Sequence, residues 1–137
     1  MCSDGDTRPI LRAEILLPDS AWLEVRFLID TGADRTVFSA DVLGASRLQS
    51  VSTRGHIGGI GGVVETEYIR TQIRFRRDDG VQVVFHGEYA ALTDPDALEM
   101  SVLGRDILNL FAVIVDRPGD VVAILGGHHY YSIQRRP

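Results

Sequence analysis

Apolar and polar residues alternate along this chain in short runs that are separated by turn-forming residues, a pattern typical of β-strands. The turn signals Pro18-Asp19-Ser20, Asp79-Gly80 and Asp116-Arg117-Pro118-Gly119-Asp120 each separate two such runs, which predicts three β-hairpins. The predicted strands are Ile10–Leu17, Trp22–Ile29, Val63–Arg76, Val81–Tyr89, Ser101–Leu103, Ala112–Val115, Val121–Leu125 and a terminal piece at Tyr130–Ile133.

One segment follows a different period. In Gly104–Phe111, the apolar residues Ile107, Leu108 and Phe111 recur at helical spacing. We therefore predict one short helix near residues 104–111 among about eight strands. This ratio indicates an all-β fold, in the form of a small barrel.

Length and charge limit the classes of function. The chain has 137 residues and a net charge of −5, which predicts one domain over residues 1–137 and disfavours binding to nucleic acid or to an anionic membrane. We expect residues 1–7 to be flexible and residues 117–137 to form an extra hairpin and tail. All 14 basic residues are Arg, so catalysis by a lysine nucleophile or Schiff base is excluded.

The cysteine and histidine content predicts neither a disulfide nor a metal. Cys2 is the single cysteine, and with no apolar run long enough to span a membrane and no signal peptide, the chain is predicted to be cytoplasmic. His128 and His129 lack a third ligand at recognisable spacing, and the acids near Asp94 lack the calcium-loop pattern. We predict no metal and no cofactor.

The most informative motif is Asp30-Thr31-Gly32, which directly follows the apolar run Phe27–Ile29. A buried strand that ends on a carboxylate and a glycine presents the carboxylate at the floor of a cleft. Such a tripeptide occurs by chance in about 3% of chains of this length, and many copies are plain turns, because Asp and Gly are turn formers. The chain contains the motif once.

The second motif is rich in glycine. Gly55–Gly62 contains five glycines together with Ile57 and Ile60, which suits a hairpin tip that brings its backbone close to a ligand. A phosphate-binding loop fails on spacing, because no Gly-Lys-Ser/Thr follows and Val64 stands where a dinucleotide loop needs Gly. A plain flexible loop is the other interpretation.

The third motif is Leu103-Gly104-Arg105-Asp106. A glycine between an apolar strand and a helix lets the backbone pass close beneath another strand. Arg105 is suited to bind a carboxylate with two hydrogen bonds, and Asp34 is the candidate partner. Alone, this motif is more typical of a helix start.

In their order and spacing, the three motifs resemble those of the retropepsins, the single-domain aspartic proteases of retroviruses. The resemblance covers roughly residues 8–116, and the chain beyond Asp116 is more similar to cellular and bacterial retropepsin-like proteases. It implies a closed, mostly antiparallel barrel that forms a homodimer, an aspartic endopeptidase without a cofactor and a peptide or protein substrate. The two Asp30 carboxylates of the dimer would then activate one water.

The resemblance also implies roles for individual residues. The catalytic positions are Asp30, Thr31 and Gly32; the substrate-binding positions are Ala33, Asp34, Arg35, Ile57, Gly58, Gly59 and Ile60; and the supporting positions are Arg105, Arg8 and Gly104. In the family, the arginine that matches Arg8 reaches the residue matching Asp34 from the other subunit.

Two of these positions differ from related enzymes. Ala33 replaces the Ser of many pepsin-like proteases, whose hydroxyl would stabilise the ionised carboxylate, so we expect a less acidic activity optimum. Arg35 stands where some viral members have a second acid. We expect the reversed charge of Arg35 to favour acidic or neutral substrate side chains.

Two alternatives stay open at this point. One is a retropepsin-like module that binds peptides or dimerises without catalysis. The other is an unrelated β-barrel that binds a small molecule, and it predicts a monomer.

Overall fold

Strands dominate the fold, as the alternating pattern predicts. The structure, a computed structural model, describes residues 8–52, 56–59 and 62–127, with residues 52, 56–59 and 62–64 described by their backbone only. Its elements are β1 (Ile10–Leu16), β2 (Trp22–Ile29), β3 (Val37–Phe38), α1 (Ala40–Ser46), β4 (Ser50–Ser52), β5 (His56–Gly59), β6 (Gly62–Arg76), β7 (Gln82–Leu92), β8 (Ser101–Leu103), α2 (Arg105–Leu108), β9 (Ala112–Asp116) and β10 (Val121–Leu125).

Two hairpins follow directly from local sequence. The strands β1 and β2 pair antiparallel from Ile10↔Leu28 to Leu16↔Trp22, and the turn between them contains Ser20 at φ 71°. The strands β6 and β7 pair over eleven residue pairs. Gly80 lies in their turn at φ 85°, in the left-handed region that glycine adopts without steric cost. Both predicted hairpins are confirmed.

The sheet closes into a six-stranded barrel. Neighbouring strands follow the order β1-β2-β8-β3-β7-β6, and β6 pairs again with β1 at Glu14↔Arg74 and Ile15↔Ile73. The strands β2 and β8 run parallel, as do β3 and β7, while the other pairs of the ring are antiparallel. The predicted closed, mostly antiparallel barrel is therefore confirmed.

The inward face of each strand fills the barrel. Along β1 and β2, the alternate residues Ala13, Ile15, Val25 and Phe27 are buried, which is the period of two that the sequence predicted. The largest side chains with no exposed surface in the core are Phe27, Phe38, Ile15, Ile69, Ile73 and Leu103. Phe38 packs against Phe27 with ring centroids 5.6 Å apart, so the core reaches to the start of α1.

The helices differ from the prediction in number and length. The helix α1 was not predicted; Val42 and Leu43 on this helix pack against the core, and it ends at Arg47 in the left-handed conformation. The helix α2 covers only four residues of the predicted segment. Beyond it, Leu110 and Phe111 donate to carbonyls three residues earlier, at 3.0 and 3.1 Å, so the helical spacing is maintained by tighter turns.

A third hairpin, formed by β9 and β10, packs on the barrel. It pairs from Ala112↔Leu125 to Asp116↔Val121, as the sequence predicted. Val113, Val122 and Ile124 contact the core, whereas Ile114, Val115 and Val121 keep 40, 43 and 51% of their surface exposed. The predicted strand at 130–133 lies outside the described residues. No helix in the described ranges is long and apolar enough to cross a membrane.

Candidate active site

Asp30 lies where two parallel strands of the barrel end together. Ile29 and Leu103 are register partners at the ends of β2 and β8, and the Asp30 N–H donates to the Leu103 carbonyl at 3.1 Å. Asp30 is half-buried. The strand pairing therefore fixes the backbone of Asp30 and leaves its carboxylate partly open to solvent.

The turn after Asp30 is built around its carboxylate. The Gly32 N–H donates to Asp30 Oδ1 at 2.9 Å, and the Ala33 N–H donates to the Asp30 carbonyl at 3.2 Å. A Cβ on Gly32 would lie 3.2 Å from Asp30 Oδ1, so glycine permits this close approach without crowding. Thr31 at the tip of the turn is exposed.

The Gly104 turn passes beneath this loop at a distance that only glycine permits. A Cβ on Gly104 would lie 2.4 Å from the carbonyl carbon of Arg35 and 2.5 Å from its oxygen. The Arg105 N–H donates to the Ala33 carbonyl at 2.9 Å. The Arg105 Nη2 contacts Asp34 Oδ1, which is the ion pair that the sequence predicted.

Two further residues join the loop to α2, and the sequence analysis did not select them. Thr36 is fully buried, and its N–H lies 3.0 Å from both carboxylate oxygens of Asp106. The Thr36 hydroxyl donates to Asp106 Oδ1 at 2.7 Å and accepts from the Gly104 N–H at 3.2 Å. The sequence feature that could have identified Asp106 is its position directly after Arg105, as an acid in the first turn of α2.

Tyr89 lies close enough to the Thr36–Asp106 junction for the charge of Asp106 to affect the pKa of its phenol. Burial first, and the negative charge of Asp106 second, raise the pKa of Tyr89 to about 12. Its ring packs edge-on against Phe38 at 5.9 Å. The Tyr89 phenol therefore keeps its proton well above neutral pH, while Asp106 itself is an exposed residue.

Arg8 and Arg35 lie at the edges of the site. Arg35 is exposed. The Arg8 Nη1 donates to Glu99 Oε2 of the same chain at 2.6 Å, and the Pro9 carbonyl accepts from the Ile29 N–H at 2.8 Å. The start of the described chain thus lies beside the residue that precedes Asp30.

The glycine-rich segment forms a fourth hairpin. The strand β5 pairs with the start of β6, with Ile57 opposite Val64, Gly58 opposite Val63 and Gly59 opposite Gly62. The predicted position Ile60 lies outside the described residues. The antiparallel pairing agrees with the predicted hairpin, and residues 60 and 61 between the two strands lie outside the described residues.

Metal chemistry finds no support in the part of the chain described. In these ranges, no three His, Cys, Asp or Glu side chains converge as metal ligands.

A groove of about 610 Å³ lies between β10 and the β6–β7 turn, and a smaller one of about 350 Å³ lies around Arg74. Neither of these two grooves is lined by residues of the Asp30 loop.

The family follows from a match over most of the chain. Residues 5–115 match the model of the retroviral aspartyl protease family. The chain belongs to this family. The matched range includes Asp30-Thr31-Gly32, the glycine-rich hairpin and the Gly104 turn, and membership excludes the unrelated small-molecule barrel that the sequence left open. No curated protein matches this retropepsin-like chain.

Solved structures show the same fold. The protein is similar to the EIAV protease complexed with the inhibitor HBY-793, at 24% identity and a TM-score of 0.57 over 80% of this chain and 92% of that one. A retropepsin-like aspartic protease from Rickettsia conorii has 16% identity and a TM-score of 0.54, covering 90% and 92%. The retroviral protease-like domain of Ddi1 from Leishmania major has 16% identity and a TM-score of 0.52, covering 87% and 89%.

Proposed function

We propose that this protein is an aspartic endopeptidase whose active site forms between two copies of the chain. The observation that carries the proposal is the placement of Asp30: a partly open carboxylate at the end of a barrel strand, held by a turn that is hydrogen-bonded to the Gly104 segment. One chain supplies one Asp-Thr-Gly motif, so a pair of carboxylates requires a second copy.

The chemistry follows from the proximity of the two Asp30 carboxylates. Two like charges a few ångströms apart do not both ionise, so the pair shares one proton. The ionised partner removes a proton from the water that attacks the scissile carbonyl, and the protonated partner donates its proton to the carbonyl oxygen. Because the subunits are identical, either Asp30 can take either role.

The surrounding residues are assigned to substrate binding and closure. Asp34 would accept from the substrate backbone while Arg105 holds its carboxylate, and the exposed Arg35 would favour an acidic or neutral side chain nearby. The β5–β6 hairpin would close over the peptide as a flap and exclude water. Ile60 at its tip would reach the substrate through its backbone N–H.

Two features support self-association. The β9–β10 hairpin exposes Ile114 and Val121, which the strand register places on the same face of the hairpin, and exposed apolar residues mark interaction surfaces. Asp30 is only half-buried in one chain, which fits half of a shared cleft. In such a dimer, Arg8 would have to exchange Glu99 for the partner's Asp34 to make the contact that the family resemblance implies.

The test is a cleavage assay on a mixed peptide library, read by mass spectrometry between about pH 3 and 8. We expect Asp30→Asn to reduce cleavage by about 1,000-fold or more, because it removes the group that activates water. Asp78→Asn is the matched control, since it makes the same change at an exposed turn, and it should cleave like the wild type.

The same assay separates the catalytically silent module from the enzyme. If neither the wild type nor Asp30→Asn cleaves any peptide, while both bind peptides and dimerise, the silent module is correct. Equal cleavage by the two proteins would also reject the proposed mechanism.

A further inference from the structure

The junction of Thr36 with Asp106 is the most strongly bonded contact of the Asp30 loop. Thr36 ends the loop and is fully buried, and the Asp106 carboxylate accepts from its N–H at 3.0 Å and from its hydroxyl at 2.7 Å. The same hydroxyl accepts from the Gly104 N–H. One threonine side chain therefore connects the end of the loop, the Gly104 turn and the first turn of α2.

The other side-chain contact between these segments is weaker. The Arg105–Asp34 ion pair is exposed, with 47 and 82% of the two side chains accessible to solvent. Exposed ion pairs contribute little, because water and salt screen them. Hydrogen bonds from a buried donor to a carboxylate are stronger and depend more on geometry.

The contacts of the junction favour a carboxylate at position 106, because the Thr36 N–H faces Oδ2 as well as Oδ1. Three N–H or O–H groups point at the Asp106 oxygens, since the Ile107 N–H also donates to Oδ1 at 2.9 Å. An asparagine would offer one acceptor oxygen and would turn its own N–H donors toward the donors of Thr36. The Asp106 charge is the second cause of the raised pKa of Tyr89, after burial of the phenol.

We propose that Thr36 and Asp106 are positioning residues that hold Asp30 in register for catalysis. The proposal rests on the proposed peptidase function. The backbone between Asp30 and Thr36 is fixed at its start by the Asp30 N–H to Leu103 bond and at its end by this junction. Loss of the junction frees one end of the loop, and a shift of about 1 Å in a reacting group can cost about 100-fold in rate.

The test compares Thr36→Val with Thr36→Ser. Valine has the shape of threonine without its hydroxyl, whereas serine keeps the hydroxyl. We expect Thr36→Val to reduce kcat by about 10- to 100-fold and Thr36→Ser to stay within about threefold of the wild type. Asp106→Asn should reduce kcat as Thr36→Val does, and the double variant should lose no more than either single one.

The matched control is Thr71→Val. Thr71 is also a buried threonine, and its hydroxyl donates to the Leu16 carbonyl at 2.8 Å on a strand away from the loop. Its loss should lower stability to a similar degree and leave kcat unchanged. A folded, dimeric Thr36→Val protein with wild-type kcat would overturn the proposal, as would an equal loss of kcat in Thr71→Val.

Amide hydrogen exchange tests the junction independently of activity. In Thr36→Val and Asp106→Asn, the Gly32 and Ala33 amides should exchange faster than in the wild type, while the Ile73 amide in β6 should not change. Unchanged exchange at Gly32 and Ala33 would reject the positioning role. If the wild type cleaves no peptide, the proposed function fails and the exchange result alone decides this inference.

Discussion

At the scale of single residues, the absence of a Cβ at Gly104 lets the Gly104 turn approach the Asp30 loop. A Cβ at this position would lie within 2.5 Å of the Arg35 backbone, where no flexible side chain can move aside. We expect Gly104→Ala to lower the free energy of unfolding by about 2 kcal/mol or more, because the loop and the turn must separate. Urea denaturation measures this change.

The control for that prediction is Gly44→Ala in α1. A Cβ at Gly44 meets nothing within 4 Å, and alanine favours a helix over glycine, so this variant should gain up to about 1 kcal/mol. Equal stability of the two variants would show that the close contact at Gly104 has no energetic weight.

The raised pKa of Tyr89 predicts that the stability of the folded protein depends on pH. Its pKa is raised from 10.0 to about 12, so the folded protein holds this proton more tightly than the unfolded chain. The resulting stability is complete below pH 10 and is lost as the pH rises from 10 toward 12. Thermal denaturation across this range should show the fall, and Tyr89→Phe should reduce it.

Absorbance titration of the phenolate can assign the effect. The difference between wild type and Tyr89→Phe isolates Tyr89 from the other tyrosines. Because the charge of Asp106 is the second cause of the raised pKa, Asp106→Asn should move this titration to lower pH. A Tyr89 that titrates near pH 10 in the wild type would contradict the burial seen here.

At the scale of elements, the pairing of β1 with β6 depends on ion pairs around Glu14. Glu14 Oε1 accepts from Arg74 at 3.0 Å and from Arg76 at 2.9 Å, and the Arg74 side chain is only 10% exposed. Arg74 also lies over the Trp22 ring at 3.9 Å. We expect Glu14→Gln to cost about 1–3 kcal/mol, because a buried guanidinium loses its charged partner.

Glu24→Gln provides the comparison on the neighbouring strand. Glu24 is the register partner of Glu14, but its ion pair with Arg12 spans 3.6 Å between side chains that are 62 and 75% exposed. Its loss should change stability by less than about 0.5 kcal/mol. If Glu14→Gln and Glu24→Gln lower the free energy of unfolding equally, burial does not strengthen the ion pairs of Glu14.

The sequence predicted those elements that depend on local contacts. The hairpins of β1 with β2 and β6 with β7 follow from alternation and turn residues, and the Asp30 turn follows from its motif. The strands β3 and β4 have only two and three residues, which is too short for a period to emerge. The Thr36–Asp106 junction joins residues 70 positions apart, so a local pattern could indicate Asp106 as an acid in the first turn of α2 but could not identify its partner.

At the scale of the whole molecule, the proposed enzyme should be active only as a dimer. Ile114 on the exposed side of β9 is 40% accessible in one chain. We expect Ile114→Glu to weaken self-association and to lower specific activity in proportion, since a charge in an apolar interface costs desolvation energy. Sedimentation velocity and cleavage assays at several protein concentrations measure both effects.

Val81→Glu is the control for this prediction. Val81 is 49% exposed beside the β6–β7 turn, so it receives the same charge at a similarly accessible apolar position. It should leave association and activity unchanged. Full activity in a protein that sediments only as a monomer would reject the shared active site.

The pairing of β1 with β6, which closes the barrel through the pairs at Glu14 and Ile15, affects the order in which the strands assemble during folding. The hairpins of β1 with β2 and β6 with β7 need only short loops to form, whereas Glu14 and Arg74 meet across 60 residues of chain. Contacts between distant residues carry a larger entropy cost and form later. We therefore expect both hairpins to assemble first and the pairings between distant segments, those of β1 with β6 and of β2 with β8, to form later, which makes ring closure the slow step of folding.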